Sequence, residues 1–427
     1  MKNLSMNKFQ GLIQLFLILF TTGVTISAQG LPSAKPEEVG LSSERLDRIE
    51  SKMNAYIGTG NIPGMITLVA RHGKIAYFKS VGMMDVDTKK PMSKDAIFRL
   101  ASMSKAITSV AVMILFEEGH FLLTDPVSKF IPEFSNPQVI VKSSNSDGVV
   151  LIPARSEITI RHLLNHTSGI TDGTGLQEKY YKEAGITGGE TFTKGAIGDK
   201  VRRLGPLPLI SHPGEEFHYS LSTDVLGYLV EVVSKMPLDE FLQKRIYEPL
   251  GMKDTYFSLP AGKFPRLANM YRVDQDGKLV KSPKNMNSPV VETYFSGGSG
   301  ILSTASDYVR FAQMLLNYGE LDGKRILSRK TVELMTTNSI GEKYIRESFR
   351  PGQGDKFGYG FGIRTERGVY DELESIGSFG WDGAYYTRFW VDPKEELIGI
   401  FLTQMDSFWS ANYLNIFKVM VYQAIDD

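Results

Sequence analysis

Ser102 and Lys105 are the residues of this chain whose types and spacing best fit covalent chemistry. Residues three apart share one face of a helix, so the serine oxygen and the lysine nitrogen can come within hydrogen-bonding distance. Serine is a poor nucleophile without an adjacent base, and a desolvated lysine amine can act as that base. The almost wholly apolar stretch 106–116 predicts a buried helix that begins near Ser102. Ser5 and Lys8 repeat the spacing, so the pair alone does not define a site.

Tyr219 is the second candidate for chemistry. It lies in a loop marked by Pro213 and Gly214, shortly before a helix that the apolar residues from Val225 to Val233 predict. A phenol at such a position can relay a proton if a nearby ammonium group stabilises its charged form. The alternative is an amphipathic tyrosine that closes one edge of the core.

The glycine-rich segment 377–384 is the third candidate. Closely spaced glycines let the backbone approach a ligand and present N–H groups to it, and an oxyanion needs such preorganised donors. An ordinary turn is the alternative. A second glycine cluster, 296–300, is not a Gly-x-Ser-x-Gly elbow because Ile301 occupies the last position, which disfavours a nucleophile of the α/β-hydrolase type.

The histidines give little support for a metal. His162 and His166 have the spacing of a zinc-peptidase pair but lack the glutamate that follows the first histidine there. A Ser-His-Asp triad that uses His166 or His218 stays open, without support from their positions. The chain also lacks the phosphate-binding Gly-x-x-x-x-Gly-Lys-Ser/Thr loop. We therefore expect neither a metal nor a cofactor.

Composition describes an ordinary globular protein with room for a large core. The 427 residues are 42% hydrophobic and 22% charged, and the formal net charge is zero. We therefore expect no nucleic-acid partner. The chain has no cysteine, which excludes disulfides, thiolate metal sites and a cysteine nucleophile. The oligomeric state cannot be read from the sequence.

The N-terminus has the pattern of an export signal. Lys2 and Lys8 precede an apolar run at 12–20, and small and polar residues continue to Ala28. This pattern predicts a signal peptide over 1–28 and a periplasmic or secreted bacterial protein. The apolar run is short for a membrane span, so we expect no stable membrane insertion after cleavage. An uncleaved anchor is the alternative.

Strand patterns at both ends of the chain enclose a mostly helical middle. This order predicts an α/β (α+β) fold in which one antiparallel sheet is built from both termini and flanked by helices. The sheet lobe is expected over about 35–117 and 285–427, and a helical lobe over about 118–284. A site would lie in the cleft between them.

Three motifs in order resemble those of the serine β-lactamase and penicillin-binding-protein superfamily: Ser102-x-x-Lys105, Tyr219-Ser220-Leu221 and Trp381-Asp382-Gly383. The phrases at 98–102, 162–169, 213–217 and 297–300 are similar to the class C β-lactamase-related branch, which contains family VIII carboxylesterases and D-amino-acid peptidases. The resemblance covers roughly 35–425. It implies a β-lactamase/DD-peptidase-like fold, with one serine hydrolase domain over 29–427.

The resemblance also implies a role for each motif. Ser102 would attack a carbonyl carbon and form an acyl-enzyme, while Lys105 and Tyr219 would serve as general base and acid. The backbone N–H groups of Ser102 and Ala384 would form the oxyanion hole. The expected partner is a small-molecule ester or amide.

Two departures from the lactamase motifs bear on the substrate. Leu221 stands where lactamases carry an asparagine that binds the acylamide, and Trp381 stands where they carry a lysine that binds the substrate carboxylate. Each lost group is worth about 1–3 kcal/mol when buried. We therefore expect a neutral ester, bound by Leu221, Trp381, Asp382 and Gly383, with Asp382 able to attract a cationic group.

Two other functions stay open on the sequence. One is a D-amino-acid peptidase or weak β-lactamase acting on cell-wall substrates. The other is a penicillin-binding sensor that is acylated without turnover.

Overall fold

The structure, a computed structural model, describes residues 30–143, 148–186, 195–283, 294–342, 355–366, 373–406 and 412–427. The predicted signal peptide lies outside these ranges. The helices are α1 (Ser43–Gly58), α2 (Ser104–Glu117), α3 (Ile160–Leu164), α4 (Glu178–Glu183), α5 (Ile197–Leu204), α6 (Ser222–Ser234), α7 (Leu238–Leu242), α8 (Glu248–Leu250), α9 (Ala305–Leu316), α10 (Arg329–Met335) and α11 (Tyr413–Tyr422).

The strands fall into a large sheet and several two-stranded pairs. They are β1 (Gly64–Arg71), β2 (Lys74–Asp85), β3 (Lys90–Pro91), β4 (Phe98–Arg99), β5 (Gln138–Lys142), β6 (Val149–Pro153), β7 (Tyr271–Val273), β8 (Leu279–Lys281), β9 (Leu302–Ser303), β10 (Glu320–Leu321), β11 (Lys324–Arg325), β12 (Asp355–Phe357), β13 (Gly362–Arg364), β14 (Phe379–Gly383), β15 (Thr387–Asp392) and β16 (Leu397–Leu402).

The large sheet joins the two ends of the chain. Its eight strands follow the order β12-β13-β14-β15-β16-β1-β2-β3, and every neighbouring pair is antiparallel. Strand β1 pairs with β16, with Ile66 opposite Leu402 and Arg71 opposite Leu397. The predicted sheet built from both termini is therefore confirmed. The exact division into two lobes stays a prediction.

Alternate residues of the central strands pack on opposite faces of this sheet. Leu68 and Phe389 belong to the larger core, which includes the residues of α2 and α9. Val69 and Trp390 belong to a second core, which includes the residues of α1 and α11. The sheet thus lies between two helical layers, and α2 connects it to the central helices through its contacts with α6 and α7.

Helix α2 confirms the prediction of a buried helix with one difference at its start. All its residues from Ser104 to Leu115 are buried, as the apolar sequence requires. Ser102 lies just before it, in a 3-10 turn formed by Ala101–Met103. The nucleophile candidate is therefore at the helix entrance, where backbone N–H groups lack partners within the helix.

The sequence over 385–391 has the aromatic and β-branched composition of a strand, but strand β15 begins only at Thr387. Tyr385 and Tyr386 form the turn between β14 and β15, and Tyr386 has a φ of +61°. A residue with left-handed φ cannot continue a strand, which explains the shift. As for membrane crossing, none of the helices in the described ranges has both the length and the apolar character it requires.

Candidate active site

The backbone directly before Ser102 is held in a strained conformation. Ala101 has a φ of +48°, which costs about 1–3 kcal/mol for a non-glycine residue. Hydrogen bonds on Leu100 hold this segment: its N–H donates to the carbonyl of Ile301 at 3.0 Å, and its carbonyl accepts from Thr387 Oγ1 at 2.9 Å. Backbone strain of this kind clusters at active sites, where it orients a reacting group.

Ser102 and Lys105 come together as their spacing predicts. Their Oγ and Nζ atoms are 3.2 Å apart. Lys105 is only 7% exposed, and its Nζ also donates to the carbonyl of Gly298 at 2.8 Å. Because the amine is largely desolvated and fixed at hydrogen-bonding distance from the hydroxyl, it is placed to take the proton of Ser102.

Tyr219 joins this pair from the loop before α6. The Nζ atom of Lys105 lies 4.6 Å from the centroid of the Tyr219 ring. On its other edge, the phenol oxygen accepts a 3.0 Å hydrogen bond from Nε1 of Trp381. A donor at that oxygen stabilises negative charge developing there. The structure therefore brings together all three residues that the sequence motifs indicated as catalytic.

The end of β14 lies against the backbone that precedes Ser102. A Cβ atom on Gly383 would overlap the carbonyl oxygen of Leu100 and the hydroxyl of Thr387. Only glycine permits this close approach. It brings Ala384, the next residue, to the region of Ser102. That the N–H groups of Ser102 and Ala384 form an oxyanion hole stays a prediction.

The side chains proposed to bind substrate are more enclosed than the sequence indicates. Leu221 is 7% exposed and packs in the larger core, and Trp381 is 2% exposed with its N–H directed to Tyr219. The Asp382 carboxylate forms a bidentate ion pair with Arg388, at 2.6 and 2.7 Å. The hypothesis that Asp382 attracts a cationic substrate group is not supported, because Arg388 already neutralises its charge.

His162 and His218 have hydrogen-bonding partners in the part of the chain that is described. Nδ1 of His162 accepts the backbone N–H of Thr159 at 3.2 Å and so caps α3. His218 pairs with Glu216 at 3.0 Å. No group of three or more histidine, aspartate or glutamate side chains in the described ranges is arranged to hold a metal ion.

His166 belongs to the site in a way that its spacing did not reveal. It is 1% exposed, and its ring centroid lies 4.7 Å from that of Tyr219. Burial, reinforced by the charge of Lys105, holds the pKa of His166 well below its ordinary value. Among the described residues, its Nδ1 atom has no hydrogen-bond partner. His166 is thus a neutral packing neighbour of Tyr219, and these contacts give a Ser-His-Asp triad no support.

Asp224 is the residue that the sequence reasoning missed. It is 4% exposed at the start of α6, where it accepts hydrogen bonds from Ser296 Oγ at 2.7 Å and from the N–H of Gly298 at 3.0 Å. Tyr294 donates a third bond at 3.0 Å, and burial and Asp224 raise the pKa of this tyrosine. Asp224 therefore holds the turn whose carbonyl binds Lys105. A lone aspartate before the apolar run from Val225 was its only signal in the sequence.

Fold and site together define a class of serine hydrolases, and comparison with known proteins supports the same class. The family model described as Beta-lactamase matches residues 46–419. Protein Rv1367c of Mycobacterium tuberculosis (strain ATCC 25618 / H37Rv) is 34% identical over 373 residues, which cover 84% of this chain and 90% of that protein. Esterase EstB of Burkholderia gladioli is 29% identical over 377 residues, which cover 83% of this chain and 89% of EstB.

A solved structure extends the likeness to three dimensions. EstCE1, described as a hydrolase with promiscuous acyltransferase activity, superposes with a TM-score of 0.75 at 28% identity, and the match covers 88% of this chain and 98% of EstCE1. The chain belongs to the β-lactamase family. It is an esterase-like serine hydrolase with the β-lactamase/penicillin-binding-protein fold, which confirms the family and fold expected from the three motifs.

Proposed function

We propose that this protein is an exported hydrolase that cleaves neutral carboxylic esters through an acyl-enzyme on Ser102. The observation that carries the proposal is the 3.2 Å contact between Ser102 Oγ and the buried amine of Lys105. Tyr219 supports it, because its ring lies against the same amine. A nucleophile, a base and a proton relay within contact of one another are what acyl transfer requires.

In the acylation step, Ser102 Oγ attacks the carbonyl carbon of the ester while its proton moves to the neutral amine of Lys105. Tyr219 passes a proton to the departing alkoxide, so an alcohol leaves and Ser102 keeps the acyl group. The bond from Trp381 Nε1 to the phenol oxygen, 3.0 Å long, favours the negative charge that this transfer leaves on Tyr219. Proton exchange between Lys105 and Tyr219 then restores both groups.

In the deacylation step, water attacks the acyl carbon and gives its proton to the same base. Ser102 regains a proton as the acid leaves, so the enzyme returns to its starting state. The N–H groups of Ser102 and Ala384 would hold the oxyanion in both steps. The close packing of Gly383 against the carbonyl of Leu100 supports this assignment, because it brings the two backbone segments together.

Three features favour a neutral ester over an anionic lactam or a peptide. The third motif has Trp381 instead of a lysine, and the indole N–H is already bound to Tyr219. The second motif has Leu221, whose buried side chain provides no amide group. The relative named Esterase EstB shares 29% of its residues with this chain over 377 positions.

Export is part of the proposal because of the N-terminal pattern. Lysines before an apolar run and small or polar residues up to Ala28 fit a protein that leaves the cytoplasm. N-terminal sequencing of the protein recovered from the periplasm or medium should begin at Gln29. Retention of the full-length chain in the cytoplasm would contradict export without affecting the catalytic assignment.

The chemistry is tested with the purified protein, p-nitrophenyl butyrate and nitrocefin. We expect ester turnover that Ser102→Ala abolishes, and little hydrolysis of nitrocefin. Ser104→Ala is the matched control, because Ser104 also lies at the entrance of α2, but its Oγ accepts a 3.1 Å hydrogen bond from the backbone N–H of Ile301. Unchanged ester turnover in Ser102→Ala refutes the mechanism. Faster turnover of nitrocefin would favour a β-lactamase, and labelling by fluorescent penicillin without turnover would favour a sensor.

A further inference from the structure

Lys200 is a buried lysine that the proposed chemistry does not use. Its side chain on α5 is 4% exposed, although an ammonium group loses several kcal/mol of hydration on burial. Among the described residues, its Nζ atom lies 3.8 Å from the carboxylate of Asp224 and 5.3 Å from the centroid of the Tyr294 ring. Lys200 and Asp224 therefore form an ion pair inside the protein, where solvent screens charges poorly.

The same carboxylate lies close to the catalytic amine. A Cβ atom built on Gly298 would be 3.3 Å from Asp224 Oδ1 and 3.4 Å from Lys105 Nζ. The carboxylate of Asp224 and the amine of Lys105 therefore both lie next to the backbone of Gly298. It also links them directly, because its N–H donates to Asp224 and its carbonyl accepts from Lys105. The amine of Lys105, the carboxylate of Asp224 and the amine of Lys200 thus follow one another in a row.

We propose that Lys200 and Asp224 are positioning residues that set the protonation of Lys105 through this row. The inference rests on the proposed function of Lys105 as the base for Ser102. Lys105 can accept a proton from Ser102 only as a neutral amine, and a negative charge nearby favours the ammonium form. Asp224 is needed to hold the turn around Gly298, and Lys200 compensates the charge that Asp224 brings with it.

The other groups that face this row in the described structure do not supply the compensation. Ser102 and Tyr219 contact Lys105 through a hydroxyl group and a ring face, and neither side chain can supply a positive charge. His166, packed against Tyr219, is kept neutral by its burial. Tyr294 donates to Asp224 as a neutral phenol, and Arg203 acts on Tyr294 at longer range. Lys200 is thus the cation in contact with Asp224 among the described residues.

The two charges of the pair can be removed separately, and the inference predicts opposite effects. Lys200→Met leaves the carboxylate uncompensated, so Lys105 retains its proton to higher pH. In a plot of kcat/KM against pH, the acidic limb should then move to higher pH by about one unit. Asp224→Asn keeps a hydrogen-bond acceptor for Gly298 but removes the negative charge. The acidic limb should then move to lower pH by about one unit.

Two further variants separate the effect of charge from damage to the fold. Lys200→Arg keeps the cation, so its acidic limb should lie at the wild-type pH. The double variant Lys200→Met/Asp224→Asn should give an acidic limb between those of Lys200→Met and Asp224→Asn. Circular dichroism and thermal melting verify that each protein is folded. A merely structural role would lower kcat for all variants without moving the limb in opposite directions.

Each result decides one statement. Opposite shifts in the single variants, with recovery in Lys200→Arg, support the inference. The inference is overturned if the acidic limbs of the two single variants stay in place or move in the same direction. The proposed function is unaffected by that result as long as hydrolysis still depends on Ser102. Hydrolysis that persists in Ser102→Ala overturns the proposed function and this inference together.

Discussion

Trp381 offers a direct test of how Tyr219 acts, because one hydrogen bond connects the two side chains. Its Nε1–H donates to the phenol oxygen at 3.0 Å, and the two ring centroids are 5.3 Å apart. Trp381→Phe removes this donor and keeps an aromatic ring in the same place. The rest of the indole packs against Phe357, at a centroid distance of 5.0 Å, and a phenylalanine retains part of that contact.

The expected loss follows from the charge on Tyr219 during proton transfer. A hydrogen bond to a neutral phenol contributes about 1 kcal/mol, whereas one to a charged oxygen contributes about 1.5–3 kcal/mol. The bond is also present in the resting enzyme, so kcat depends on the difference between these two values, about 0.5–2 kcal/mol. If the phenolate develops in the transition state, kcat should fall about 2- to 30-fold. KM should change little, because the bond is not made to the substrate.

The assay is steady-state hydrolysis of p-nitrophenyl butyrate by the purified variant. Trp390→Phe is the matched control, since Trp390 is also 2% exposed on the same sheet but packs on the opposite face against Phe417. Both variants replace a buried indole with a smaller ring, so a larger fall in kcat for Trp381→Phe reports the interactions that Trp381 makes with Tyr219. Equal kcat values in Trp381→Phe and Trp390→Phe would refute the role that we assign to this bond.

Three other perturbations have defined outcomes. Lys105→Met should reduce kcat by about a thousandfold or more while the protein melts normally, because the base is lost; a variant that retains most of its kcat would exclude Lys105 as the base. Gly383→Ala should lower both kcat and the melting temperature, since the new Cβ overlaps Leu100 O, and unchanged kinetics would contradict that packing. Burial holds the pKa of His166 low, so below pH 6.5 the unfolded chain binds a proton that the folded protein rejects. As the pH is lowered below 6.5, the free energy of unfolding should therefore fall by up to about 1.4 kcal/mol per pH unit because of His166. Urea titrations between pH 7 and pH 5 should show that His166→Phe loses less of its free energy of unfolding than the wild type. Equal dependence of this free energy on pH in the two proteins would oppose this reasoning.

The sequence determined those parts of the protein that depend on local pattern and motif order. The apolar run after Lys105 requires a buried helix, and that helix forms as α2. Strand patterns at both ends predicted the shared sheet, in which β1 pairs with β16. The spacing of Ser102 and Lys105 within one turn predicted their contact, because three residues along a helical backbone return a side chain to the same face.

The tertiary structure alone decided which distant side chains complete the site. Ion pairs and hydrogen bonds between residues far apart in sequence leave no periodic signal, since they depend on how whole elements pack. Arg388 neutralises Asp382 across two paired strands, and Trp381 donates to Tyr219 from the sheet to the helical part of the chain. In the same way, the turn at Gly298 brings Asp224 and Lys105 close to one backbone position. Ser102 and its base could thus be located by reading along the chain, but the charges that surround them become visible only when the chain is folded.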